Sequence, residues 1–91
     1  MTFEIRYHPD VKVVDLSLID EKIKKRIKIA IETRLMTSPH QYGEPLRKTL
    51  KGYWKLRVGD YRVVFKISGY EIYILGIIHR KKVYEKIGKR I

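Results

Sequence analysis

Ninety-one residues fall below the size at which chains divide, so a single domain over 1–91 is expected, and 44% hydrophobic content supports a modest core and argues against disorder. The absence of cysteine excludes disulfides and thiolate metal sites; with no apolar run long enough for a bilayer and no signal-peptide core, the expected location is cytoplasmic. The formal net charge of +11 is lopsided, because residues 1–46 carry 8 Lys/Arg against 7 Asp/Glu whereas 47–91 carry 13 against 3.

In chain order, Phe3-Glu4-Ile5-Arg6-Tyr7 alternates apolar and polar, which predicts a short strand with Phe3, Ile5 and Tyr7 inward. Pro9-Asp10 opens a turn or short helix over Val11–Leu16. A longer helix follows, with Ser17 as its expected N-cap and Asp20 and Glu21 in its first turn. Ile19, Ile23, Ile27, Ala30, Ile31 and Leu35 recur at helical spacing, while Lys22, Lys24, Lys25, Arg26 and Lys28 line the other face. Thr37-Ser38-Pro39 ends it. Residues 39–52 hold two prolines and two glycines, so they read as an irregular connection with at most one helical turn at Leu46–Leu50.

Three strands are expected next: Tyr53–Val58, Tyr61–Ile67 and Tyr70–Ile78. The first two flank Gly59-Asp60, whose leading glycine suits a type II′ hairpin turn. The third is apolar on both faces and should lie inside the sheet. Residues 82–90 read as a short C-terminal helix with Val83 and Ile87 inward. The order strand, one or two helices, three-stranded antiparallel meander, short helix defines an α+β class.

A two-residue loop fixes the hairpin register: Val58 opposite Tyr61, Arg57 opposite Arg62, Leu56 opposite Val63, Lys55 opposite Val64, Trp54 opposite Phe65, Tyr53 opposite Lys66. One face gathers Trp54, Leu56, Val58, Tyr61, Val63 and Phe65 against the helix. The other gathers Tyr53, Lys55, Arg57, Arg62 and Lys66, with no acid on those strands and Asp60 and Glu71 only at the turns. Two arginines directly opposed cost a hairpin roughly a few tenths of a kcal/mol or more. A phosphate held between them would offset that cost, since guanidinium forks match phosphate geometry. The rival explanation of the charge, a thermophile's salt-rich surface, predicts mixed signs, which this half lacks. Whether Arg80 or His79 joins this face depends on the 68–70 turn: a two-residue turn favours His79, a three-residue turn Arg80.

The stretches YWKLRVGDYRVVF (53–65) and IHRKKVY (78–84), approached through Leu46, Arg47, Lys48 and Gly52, resemble the RelE branch of the RelE/ParE toxin superfamily. The resemblance covers essentially the whole chain. It implies a RelE/ParE-like fold and the toxin of a type II toxin–antitoxin system, a metal-independent endoribonuclease. Such toxins enter the ribosomal A site and cleave mRNA by 2′-hydroxyl attack on the adjacent phosphate, inhibiting translation, and a RelB-type antitoxin wraps them. By the same resemblance Arg62 contacts the scissile phosphate, Arg80 offsets charge there, Tyr84 orients or stacks on the mRNA, and Lys55 is a strand lysine of the site.

Tyr53 stands where the best-known members have another lysine, so the general base lies open between Lys55 and His79. Arg57, His79, Lys48, Lys81 and Lys66 are the expected RNA contacts. The basic helix face is either a docking surface for ribosomal RNA or a solvated face. No metal or cofactor is expected, because no Gly-rich phosphate loop is present and His8, His40 and His79 lack ligand spacing. Two alternatives stand beside this reading: a ParE-type toxin that poisons DNA gyrase without nuclease activity, and a non-catalytic RNA-binding protein.

Overall fold

The computed structural model describes residues 2–47 and 52–91. Strand β1 (Glu4–Tyr7) leads into a wide helical turn over Val11–Asp15 and a tighter one over Leu16–Leu18. Helix α1 (Glu21–Ala30) continues through another wide turn to Leu35, where Thr37-Ser38-Pro39 ends it, and Pro39–Tyr42 forms the single-turn α2. Then come β2 (Glu44–Pro45), β3 (Trp54–Val58), β4 (Tyr61–Ser68), β5 (Glu71–His79) and helix α3 (Val83–Gly88). The expected turn at Leu46–Leu50 lies mostly outside the described residues.

The five strands run in the order β1-β5-β4-β3-β2, with β1 parallel to β5 and the rest antiparallel. This is the mixed α+β order expected from the sequence, with one strand more. The extra strand is β2, too short for alternation to show; Pro45 fits it because a proline is tolerated at a sheet edge. The cap of α1 also differs from expectation. Asp20, not Ser17, takes that place: its backbone is extended and its carboxylate accepts from the Ile23 N–H at 3.0 Å. Ser17 is used in the preceding turn, where its hydroxyl donates to the Val14 carbonyl.

Helix α1 and its continuation bury Ile27, Ala30, Ile31 and Leu35 against Leu56, Val58, Val63, Phe65, Ile72, Ile74 and Ile77. Each fully buried side chain of this size contributes about 1.5–3 kcal/mol. Tyr7 faces the helix side as expected, but is only partly covered. It lies on the edge strand beside Val11, Ile27 and Ile31 but stays 50% exposed. Partial burial, and then Glu32, push its phenol pKa above the ordinary range.

The sheet has a second covered face. Helix α3 lays Val83 and Ile87 on Val64, Leu75 and Ile78, together with Leu46. Its far end is fixed by an ion pair the sequence reading missed. Arg90 donates to both carboxylate oxygens of Asp15, at 2.6 and 2.8 Å, and to the Leu75 carbonyl at 2.8 Å. Asp15 also accepts from the Ile77 N–H. These bonds satisfy the edge of β5 where β1 has ended. Both side chains are buried, 8% and 1% exposed, and the bond to Asp15 holds the Arg90 pKa above its ordinary value against its burial.

Candidate nucleic-acid interface

The hairpin forms in the register that a two-residue loop dictates, with Gly59 leading the turn at φ +59 and Arg57 directly opposite Arg62. Side chains therefore alternate as expected, and Lys55, Arg57 and Arg62 share the face away from α1. Arg62 folds back on the turn, its Nη1 donating to the Gly59 and Tyr61 carbonyls at 3.0 Å each. Desolvation, and then the fields of Arg57 and Arg80, lower its pKa; Asp60 and Glu44 oppose the shift without cancelling it. Among the described residues neither Arg57 nor Arg62 has a carboxylate within 4 Å.

How Arg80 reaches this end of the sheet was not derivable from turn length. The turn after β4 has two residues, Ser68 pairing with Glu71, which alone would have aimed His79 at the patch. A bulge intervenes: Val64 pairs with Gly76 but Phe65 with Ile74, leaving Leu75 extra. One additional residue flips every later side chain to the opposite face. Ile78 thus stands opposite Arg62, and Arg80 follows on its side, its N–H bonded to the Asp60 carbonyl at 2.8 Å and its Nε 3.9 Å from the Asp60 carboxylate. His79 goes the other way. It pairs with Tyr61, their rings meeting edge to face at 5.7 Å, and its Nδ1 accepts from the Lys81 N–H.

The remaining candidates divide. Tyr84 lies in the first turn of α3 on the patch side of the sheet, half exposed, its hydroxyl accepting from the Arg47 N–H at 3.4 Å. Lys81 is exposed in the turn before α3. Lys66 is not continuous with the arginines. Val64, fully buried under α3, separates them, and Lys66 sits over the Tyr53 ring at 5.8 Å. Lys48 lies outside the described residues.

The expectation of an acid-free face is corrected by β2. Glu44 lies directly opposite Lys55, so its carboxylate shares the face of the arginines and acts on Arg62. The nearest sequence signal was Gly43-Glu44-Pro45 itself, a proline-marked edge segment. Arg26 is the second addition: its Nη1 is 3.1 Å from where a Cβ on Gly59 would stand, so α1 contributes a cation to the hairpin tip. Among the described residues no three His, Cys, Asp or Glu gather as metal ligands, and no helix is long and apolar enough to cross a membrane.

Residues 5–84 match the family model described as the ParE toxin of the type II toxin–antitoxin system parDE. Toxin RelE of Mycobacterium tuberculosis is 36% identical over 72 residues, 77% of this chain and 74% of that protein. Toxin RelE3 of Methanocaldococcus jannaschii is 33% identical over 76 residues, 80% and 86% of the two. Among solved structures, a chain of the RelBE2 toxin–antitoxin complex of Mycobacterium tuberculosis superposes with a TM-score of 0.80 at 26% identity, covering 88% of this chain and 93% of that one. The chain belongs to the RelE/ParE family of type II toxin–antitoxin toxins.

Proposed function

From membership in that toxin family we propose that this protein is a metal-independent endoribonuclease that cuts mRNA in the ribosomal A site and so stops translation in the cytoplasm. The observation that carries this reading is the joining of Arg57, Arg62 and Arg80 at one end of the sheet, where burial and then the fields of Arg57 and Arg80 lower the Arg62 pKa and, among the described residues, no carboxylate lies within 4 Å of Arg57 or Arg62. Such an array is costly for an empty protein and well suited to a phosphodiester.

In the reaction the 2′-oxygen bonds to the adjacent phosphorus while the bond to the 5′-oxygen breaks, leaving a 2′,3′-cyclic phosphate and a 5′-hydroxyl. Arg62 and Arg80 stabilise the charge that builds on the phosphorane, a contribution of roughly 3–4 kcal/mol per well-aimed donor. Glu44 and Lys55, paired across β2 and β3, are the groups for proton transfer: the carboxylate takes the 2′ proton and the ammonium supplies one to the departing 5′-oxygen. Tyr84 stacks on the substrate, and Lys81 is a phosphate contact. His79 falls outside this set because the bulge turns it toward Tyr61. Lacking a more strongly activated nucleophile, the site depends on the ribosome to align the codon. An antitoxin, the kind of partner RelBE2 holds, covers the patch with acidic residues.

Primer extension on translated mRNA tests the reading. In-codon cuts that vanish in Arg62→Ala and Arg80→Ala support it. A second reading is favoured by the ParE name of the matching family model: a gyrase-poisoning toxin, which would give gyrase-linked DNA breaks and no mRNA cuts. A non-catalytic RNA binder would lose affinity in the same variants with no cleavage to lose.

A further inference from the structure

A second group of arginines lies around the hairpin tip from the reaction patch. A small cleft between α1 with its continuation and β3 is lined by Arg26, Ala30, Thr33, Arg34, Arg57 and Val58. It opens where β2 has ended: β2 covers β3 at Trp54 and Lys55, so among the described residues the edge beyond Lys55 has no neighbouring strand. Arg26 stands over Gly59, and Arg34 is held with its guanidinium 5.8 Å from the Tyr42 ring. Arg57 belongs to both groups, since it also acts on Arg62.

None of Arg26, Arg34 and Arg57 has a carboxylate within 4 Å among the described residues. The same helix pairs Lys24 with Glu21, so acids are available to α1 and are not placed at this cleft. Arg26 and Arg34 bring two guanidinium groups to the α1 side of this concavity, Arg57 lines it from the β3 edge, and a ligand with several anionic oxygens supplies the counter-charge that the described residues do not. Arg34 lies against the Tyr42 ring and Arg26 against Gly59, so both forks are positioned before any ligand arrives.

We propose that the cleft lined by Arg26, Arg34 and Arg57 is a second phosphodiester-binding site, which takes the RNA backbone after it has crossed the hairpin tip from the patch of Arg62 and Arg80. This rests on the nucleic-acid reading above and extends it to residues on α1 that the toxin signature does not include. The two sites divide the work. The patch acts on the reacting phosphate, and the cleft fixes the direction and register of the strand.

The test uses the full chain and a single-stranded RNA of about ten nucleotides carrying 2′-O-methyl groups throughout, which cannot be cleaved, so binding is read without chemistry. Arg26→Gln with Arg34→Gln keeps the side-chain stems over Gly59 and Tyr42 while removing the charge. This variant is expected to bind about tenfold more weakly, and its plot of log affinity against log salt should lose about 0.7 in slope, the amount for one phosphate on a single strand. Lys22→Gln with Lys25→Gln removes equal charge from the exposed part of α1 and is expected to leave the slope unchanged. An unaltered slope in the arginine variant, or an equal loss in the lysine variant, overturns the proposal. So does a variant that keeps RNA affinity but loses binding to poly-glutamate, which would give the cleft to an acidic polypeptide. Absence of mRNA cleavage by the wild-type chain would count against the nuclease alone and leave this measurement intact.

Discussion

Arg90 and Arg62 are the same side chain put to opposite uses. Arg90 is buried, donates to Asp15 and the Leu75 carbonyl, has Asp10 nearby, and its pKa is raised. Arg62 donates only to carbonyls of its own hairpin, faces two other arginines, and its pKa is lowered. In the first case the protein supplies every counter-charge, and the guanidinium fastens a sheet edge. In the second the acids stay at a distance: Asp60 and Glu44 act on Arg62 without cancelling its shift, and no carboxylate among the described residues lies within 4 Å of it. What separates these two cations is the placement of acids, not of arginines.

Asp15 is the acid on which the buried arginine depends most. Replacing it with Ala strands a buried guanidinium, so Asp15→Ala is expected to cost about 3–5 kcal/mol in chemical denaturation. A loss below roughly 1 kcal/mol would mean that Arg90 is not held as described. Arg62→Ala should behave in the reverse way. Cleavage in a translation assay is expected to fall by about 10²–10³, while stability changes by no more than about 0.5 kcal/mol. Between the two lies Gly76, where an added Cβ would sit 2.9 Å from Arg90 Nη1, 2.8 Å from Ile78 Cδ1 and 2.9 Å from Ile87 Cδ1. Gly76→Ala is expected to cost about 1–3 kcal/mol by overpacking, visible as a lower Tm. The smallest effect is a gain. Arg57→Thr removes the opposed arginine pair and should stabilise the hairpin by about 0.2–1 kcal/mol while weakening RNA binding, measured by parallel melting and filter-binding experiments.

Much of this was readable in the sequence, for identifiable reasons. A two-residue loop permits one register, so the pairing of Arg57 with Arg62 and the sidedness of Lys55 followed from counting. Helical spacing placed Ile27, Ile31 and Leu35 in the core, and Val83 and Ile87 under α3. What escaped was decided by contacts between distant segments. The bulge at Leu75 is marked locally only by the neighbouring Gly76, and it alone chose Arg80 over His79. Strand β2 is two residues long, below the length at which alternation is visible, so Glu44 stayed hidden. Asp15 and Arg90 are 75 positions apart, and nothing near either marks it as the other's partner. Arg26 looked like one more cation on a helix face until the fold brought it over Gly59.

The Asp15–Arg90 bond also sets an order of events during synthesis. Strand β1 pairs only with β5, and Asp15 finds Arg90 only once the chain through residue 90 is free to fold. Such distant contacts form late, after the local hairpin and helices. A nascent chain can therefore display the hairpin and its arginines while α3, with Tyr84, is still unfastened.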